Sequence, residues 1–272
     1  MSLSAEDFDF FRGWLRTRSG ITLEAGKEYL VESRLDRIAV TGGHGTVAGL
    51  LRVLRERPPR DLEVSVVEAL TTNETSFFRD WKPFEALKKG LIDEACARRA
   101  GERRLDLWSG ACSSGQEAYS LAMLLADSFP QLASWDVQIH CTDLSSEMVE
   151  RTRAGRFTQL EVNRGLPAPL LVKHFRQDAG AWIVADPLRQ RIKATLLNLT
   201  GPWPPLPTMD LVLLRNVLIY FDVPTKKAIL ERTRRLVRPG GVLFLGSAET
   251  TVGLSDGWRR EELAGATFFR AV

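Results

Sequence analysis

Apolar residues recur at helical spacing through the first seventy positions, and no strand-like alternation interrupts them. Phe8, Phe11, Trp14 and Leu15 follow Ser4-Ala5-Glu6-Asp7, which reads as a capping box, and Gly20 closes that helix. A second helix carries Leu30, Val31, Arg34, Leu35 and Ile38 and stops before Gly42-Gly43-His44-Gly45. Thr46 caps a third, with Val47, Leu50, Leu51 and Leu54, ending at Pro58-Pro59. A fourth follows Asp61 through Val64, Val67 and Leu70. Residues 1–70 therefore predict a small helical domain. Thr71–Asp80, TTNETSFFRD, breaks the period and reads as a linker before a helix over Trp81–Arg99.

The pattern then changes. Leu105, Leu107 and Trp108 form a short apolar run that predicts a buried strand, followed by the small residues Ser109–Gly115. From Gln116 the period turns helical, with Ala118, Leu121, Ala122, Leu124 and Leu125 on one face. Val137–Cys141 and Asp210–Leu214 predict two more buried strands, with a helix at Ser145–Arg153 after the first and another from Pro224 to Val237 after the second. Pro239-Gly240-Gly241 turns the chain into a strand at Val242–Leu245, and Thr267–Val272 supplies a last one. Strands alternating with helices over residues 81–272 predict an α/β domain with a mainly parallel sheet. Within it, His174-Phe175, Trp182–Ala185 and Leu188–Thr195 read as two or three short antiparallel strands turning near Asp186-Pro187, an insertion over about residues 172–193. A strand beginning near Ala194 is expected to end at Asn198-Leu199, and the Pro-rich Gly201–Pro207 to be an exposed loop.

Composition adds limits. The 272 residues are 44% hydrophobic and 26% charged, as in an ordinary globular protein. The balance of 37 basic against 34 acidic side chains is too weak to argue for nucleic acid, and the Arg clusters lie beside acids. Cys96, Cys112 and Cys141 are odd in number, have no metal-ligand spacing and read as reduced thiols of a cytoplasmic protein. The acidic N-terminus lacks the basic start and apolar run of a secretory signal, and no stretch is long enough to span a membrane.

The loop after the first strand narrows the ligand. Gly110 and Gly115 have Walker A spacing, but Gln116 and Glu117 stand where Lys and Ser/Thr belong, and the G-x-G-x-x-G dinucleotide pattern is absent. A Glu in the first turn repels phosphate. It suits a ligand with hydroxyls or positive charge, such as S-adenosylmethionine (SAM); the other reading of Glu117 is a solvated acid favoured by the helix dipole. Asp143, just past the second strand, is set to accept ribose hydroxyls, or else to cap the helix that follows. His44, His140 and His174 have no nucleophile partner in a recognisable motif, and His140 reads as a satisfied core residue. Methyl transfer from a sulfonium to a carboxylate is compatible with these absences. A Glu acceptor, with an ordinary pKa of about 4.3, is already ionised and needs no general base. The enzyme's task is then alignment and exclusion of water.

TTNETSFFRD, LWSGACSSGQEAYS, CTDLS, LNL and LLRNVLIYFD occur in the order and at about the spacing of chemotaxis receptor methyltransferases of the CheR type, and the chain resembles that family over essentially its whole length. The resemblance implies a Rossmann-like SAM-dependent methyltransferase sheet carrying a helical receptor-docking domain (1–70), a linker that contributes to the cofactor site (71–80) and a small antiparallel β-insertion. It implies methylation of glutamate side chains on the cytoplasmic helices of chemoreceptors, with S-adenosylhomocysteine (SAH) as product, by a monomer that neither binds nucleic acid nor inserts into the membrane. Residue by residue, Asn73, Thr75 and Arg79 match linker positions that touch the cofactor, Gly110 and Glu117 the loop and its acid, and Asp143 the ribose acid. Asn198 and Leu199 match the segment flanking adenine, and Arg215 and Asn216 a further contact. Arg79 and Tyr220 match the pair beside the transferring methyl, and Arg34 and Arg37 the start of a receptor-docking face.

The sequence also departs from the family pattern. Gln116, Ala118, Ser114 and Leu214 replace the usual Glu, Pro, Thr and Cys, away from the contacting positions. Ile38-Ala39-Val40 lacks a further Arg of the docking face, and residues 1–70 hold ten basic and eleven acidic side chains. The insertion is short between Phe175 and Trp182, without the glycine-containing loop by which some members grip a receptor tail, so independence of a tail peptide is expected. Two alternatives stay open from the residues: the same reaction on a non-chemoreceptor signalling protein, or a non-catalytic module that senses SAM or SAH.

Overall fold

A computed structural model describes residues 3–272 of the chain. Four helices, α1 (Ala5–Ser19), α2 (Glu28–Thr41), α3 (Val47–Arg55) and α4 (Arg60–Ala69), build the N-terminal part around Phe11, Leu15, Val31, Leu35, Leu50 and Leu51. Their ends follow the local chemistry. Ser4 Oγ accepts from Asp7 N–H and Thr46 Oγ1 from Gly49 N–H, while Gly20 ends α1 in the left-handed region. The helix over the following stretch is not continuous. α5 (Lys82–Ala86) passes through a π-helical turn, Leu87–Leu91, with Gly90 outside helical geometry, into α6 (Ile92–Arg98).

The main sheet has seven strands: β1 (Arg104–Gly110), β2 (Asp136–Asp143), β6 (Ile192–Leu196), β7 (Met209–Leu214), β8 (Val237–Leu245), β9 (Trp258–Leu263) and β10 (Ala266–Ala271). Their order is β6-β2-β1-β7-β8-β10-β9, with β6 to β8 parallel and the last two antiparallel. This is the Rossmann-like arrangement expected. α7 (Gln116–Ser128), α8 (Ser146–Ala154) and α12 (Val223–Leu236) are the crossover helices. The chain winds outward from β1 through β2 to β6, then returns to β7 on the other side. That switch between β1 and β7 opens a crevice at the carboxyl edge of the sheet.

A second sheet of three strands, β3 (Arg156–Phe157), β4 (Phe175–Asp178) and β5 (Ala181–Val184), pairs in the order β3-β5-β4, all antiparallel. It corrects the reading of the insertion. The hairpin turns at Ala179-Gly180, Asp186-Pro187 begin a short helix, α11 (Asp186–Arg189), and Ile192–Leu196 joins the main sheet beside β2. The third strand comes from Arg156–Phe157, upstream. α9 (Gln159–Val162) and α10 (Ala168–His174) connect these pieces. Asn198 and Leu199 lie beyond the end of β6 rather than in it, and β9 was not foreseen.

The helical part sits against the carboxyl edge. Arg16 pairs with Asp222, Asn198 Nδ2 donates to Arg18 O (2.6 Å), Ser146 N–H donates to Glu68 (2.7 Å), and Thr22 donates through N–H (2.9 Å) and Oγ1 (3.0 Å) to Tyr220 O. Among the described residues no helix is long and apolar enough to cross a membrane.

Candidate functional site

The crevice between β1 and β7 deepens into an open cleft lined by residues of the linker, the strand ends and the helical part. The loop after β1 forms its floor. Ala111 and Ser113 hold left-handed backbone (φ 54° and 52°), a conformation tolerated where surrounding bonds enforce it. Here Ser113 is fixed twice: its N–H donates to Asp143 Oδ2 (2.7 Å) and its Oγ to Asn73 O (2.7 Å). The second bond joins linker to floor. Phe77 and Phe78 anchor the same linker by burial, Phe77 edge-on to Phe157 at 5.0 Å and Phe78 with its N–H on Ser120 Oγ (2.9 Å). They are core residues, and the polar residues around them face the cleft.

Asp143 ends β2 at the wall. Its Oδ1 accepts from Ser145 N–H (3.0 Å), and Ser145, not Asp143, caps α8. Burial pushes its carboxyl above the usual range, against the pull of the Ser145, Ser113 and Leu144 N–H groups. Each oxygen still has acceptor capacity for a hydroxyl pair. Glu117, on the first turn of α7, accepts from Ser109 Oγ (2.8 Å) and pairs with Arg215 (2.8 Å). Arg215 is nearly sealed, its side chain 2% exposed, and it also holds Asp80 (2.6 Å) and Arg79 O (3.1 Å). One guanidinium thus ties the end of β7 to α7 and to the linker, while its Nε stays buried without a partner.

The structure brings Asn73, Thr75, Arg79, Glu117, Asp143, Asn198, Leu199, Arg215, Asn216 and Tyr220 into this one cleft. Asn198 lines it with a committed amide, since Oδ1 takes the Thr200 N–H and hydroxyl while Nδ2 serves Arg18 O. Gly110 does not line it. A Cβ there would stand 2.8 Å from Leu214 Cδ1, so its smallness serves strand packing. Arg34 is half-buried and donates to Ala69 O (3.1 Å) and Thr71 O (2.6 Å), tying α2 to the linker. The tie supplies donors to carbonyls at and just beyond the end of α4, which a helix terminus leaves without partners. Arg37 is exposed. The histidines are satisfied or remote: His140 Nε2 lies 3.1 Å from Asp106 and His174 Nε2 2.9 Å from Asp127.

Several lining residues were not anticipated. Ser19, Ile21 and Leu70 come from the helical part, and Ser113 supplies the N–H that orients Asp143. The loop's small residues signalled backbone approach, but nothing in the first seventy residues signalled a cleft wall. Three acids (Glu74, Glu117, Asp143) and two cations (Arg79, Arg215) line the cleft, no Lys does, and Arg215 is already neutralised. This donor set fits a ligand bearing a ribose, an ammonium and a sulfonium, and does not fit a polyphosphate.

The comparisons agree. The description "CheR methyltransferase, SAM binding domain" matches residues 73–264, and "CheR methyltransferase, all-alpha domain" matches residues 6–71. Chemotaxis protein methyltransferase Cher2 of Pseudomonas putida is 38% identical over 276 residues, covering 100% of both chains. Chemotaxis protein methyltransferase 1 of Pseudomonas aeruginosa gives the same identity and coverage, and the chemotaxis protein methyltransferase of Vibrio parahaemolyticus is 35% identical over 94% of this chain and 93% of its own. The chain is a SAM-dependent methyltransferase and belongs to the CheR family of chemotaxis protein methyltransferases.

Proposed function

We propose that the protein transfers the methyl group of SAM to glutamate side chains on the cytoplasmic helices of chemoreceptors, giving glutamate methyl esters and SAH. Residues 1–70 act as the receptor-docking domain, 71–80 as the linker that closes the cofactor site, and 81–272 as the methyltransferase domain. The observation that carries the reading is the presence of Arg79 and Tyr220 in the same cleft as Asp143 and Glu117.

When bound, SAM supplies an electrophilic methyl on a sulfonium. Asp143 accepts the ribose hydroxyls, each charge-assisted bond contributing about 1.5–3 kcal/mol. The Glu117–Arg215 pair sets the charge of the inner wall, and Asn198 and Leu199 flank the adenine. The Arg79 guanidinium has one polar partner among the described residues, Glu74 O at 3.1 Å, which leaves donors for an incoming carboxylate. Tyr220 presents ring and hydroxyl to the sulfonium. No base is needed, because the acceptor arrives ionised. The bonds from Thr22 N–H and Oγ1 to Tyr220 O couple the docking domain to the backbone that carries this side chain.

The protein acts as a cytoplasmic monomer, without nucleic acid. It works without a receptor tail peptide, since the β4–β5 hairpin closes in the two residues Ala179-Gly180 and offers no longer loop. Glu117→Ala tests the cofactor half: removing it leaves Arg215 with Asp80 as its one carboxylate partner, and SAH binding measured by calorimetry is expected to weaken by at least about tenfold, given the several kcal/mol at stake in a buried pair. Unchanged SAH affinity would remove Glu117 from the site.

A further inference from the structure

The turn that carries Asn216 and Tyr220 is fastened from outside the cleft by one side chain, Glu249. Its Oε2 accepts from Gly246 N–H (2.6 Å) and Asn216 N–H (2.8 Å), and its Oε1 from Ile219 N–H (3.2 Å). These donors lie where two neighbouring strands leave the sheet. Gly246 follows β8, Asn216 and Ile219 follow β7, and the pairing of those strands ends at Leu214 and Leu245. Beyond that point strand hydrogen bonds no longer set the distance between them. Asn216 has φ 60°, a left-handed conformation that persists in a non-glycine residue only when its surroundings hold it. The link is tight as well as polar. A Cβ on Gly246 would stand 2.6 Å from Asn216 Nδ2 and 2.7 Å from Glu249 Oε2. Glu249 does not reach the cofactor cleft. It borders a second cleft on the far side of Arg215, with Asp80, Lys82 and Arg260.

We propose that Glu249 is a positioning residue for methyl transfer. Its carboxylate clamps the 216–220 turn to the end of β8, so that Asn216 and Tyr220 face the cofactor in a fixed geometry. The proposal rests on the function given above for the kinetic part of its test, and on the cofactor site alone for the rest. Without the carboxylate three N–H groups lose their acceptor, Asn216 relaxes from its left-handed backbone, and Tyr220 keeps only the turn-internal bond of its N–H to Val217 O (3.2 Å) and the bonds from Thr22 to its carbonyl.

The test compares Glu249→Ala, Glu249→Gln and Gly246→Ala by SAH calorimetry, amide exchange, thermal unfolding, and kcat and KM with SAM and receptor fragments. Glu249→Ala is expected to speed exchange at Asn216 and Ile219, weaken SAH by about tenfold and lower kcat further, by about tenfold to a hundredfold, the cost of displacing a reacting group by ~1 Å. Glu249→Gln keeps an oxygen for Gly246 and Asn216 and is expected to return SAH affinity to within about threefold of wild type, as restoring most of a hydrogen-bonded link should. Gly246→Ala breaks the same link from the other side, so the double variant is expected to lose no more than the worse single one. Wild-type SAH affinity and kcat in folded Glu249→Ala, or a lowered Tm with both unchanged, would overturn the proposal. Should Glu249→Ala not fold, Gly246→Ala and Glu249→Gln decide by the same readouts. If the wild type binds SAH but methylates no receptor glutamate, the proposed function fails, and the exchange and SAH results still decide the role of Glu249.

Discussion

Asp143 bears the electrostatic cost of the cleft. Burial raises its pKa above the usual value of 3.8, so the folded protein holds a proton there that the unfolded chain releases. In the window from 3.8 up to the raised value the native state binds more protons, and this residue's contribution to stability therefore falls as pH rises through it. Cofactor binding runs the other way, because the ribose hydroxyls need the ionised acceptor. SAH affinity is expected to fall as pH drops from neutral into that window, and Asp143→Asn to flatten the dependence while weakening binding at pH 7 by about tenfold or more, the worth of one charge-assisted bond. Calorimetry across pH checks both. Identical pH profiles for the two proteins would exclude Asp143 as the ribose acceptor. At this scale the sequence was informative where a side chain sits at a landmark of its own element, as Glu117 on the first turn of a helix and Asp143 at the end of a strand do, and both line the cleft. It was silent where a residue acts through a partner distant in the chain. Glu249 and Asn216 are 33 positions apart, and no local pattern announces their bond. The bonds of the Arg34 guanidinium to Ala69 O at the end of α4 and to Thr71 O in the linker were equally unannounced.

Among the elements, long periodic segments were legible and short edge pieces were not. β1, β2 and β7 are buried and apolar and stood out as runs. β9, WRREEL, borders the sheet with exposed charges that discourage further strand pairing and hide its strand character. β3 has two residues, too few for any alternation to appear. Leu188–Thr195 reads from the sequence as part of the insertion, with a separate strand starting only near Ala194, yet the whole of Ile192–Leu196 pairs in register with β2 in the main sheet. Gly110 makes the distinction testable. Gly110→Ala puts a methyl against Leu214 and is expected to cost about 1–3 kcal/mol of stability, as overpacking does. Folded Gly110→Ala should keep SAH affinity within about threefold, because the change is in strand packing rather than ligand contact. A large loss of affinity at unchanged Tm would instead make Gly110 a ligand contact.

Across the whole molecule, the helical part is both a wall of the cofactor cleft and the support of Tyr220's backbone, through Ser19, Ile21, Leu70 and Thr22. In the proposed function, docking and chemistry thus share one hydrogen-bonded connection. Arg37 is exposed on α2, and the proposed function assigns it to the docking half. Arg37→Glu is expected to raise KM for receptor by up to about tenfold, the scale of reversing one exposed charge, while SAH affinity stays unchanged. Equal KM in a receptor titration would remove α2 from the interface.

The central claim is the acceptor, and labelled methyl transfer tests it most directly. Incubating the protein with methyl-labelled SAM and chemoreceptor cytoplasmic fragments, then locating the label, should give base-labile methyl esters on glutamates of the receptor helices, with Arg79→Ala and Tyr220→Phe reducing the rate more than the SAH affinity. Absence of label on receptor glutamates from a protein that binds SAH, or label on another residue type, would contradict it.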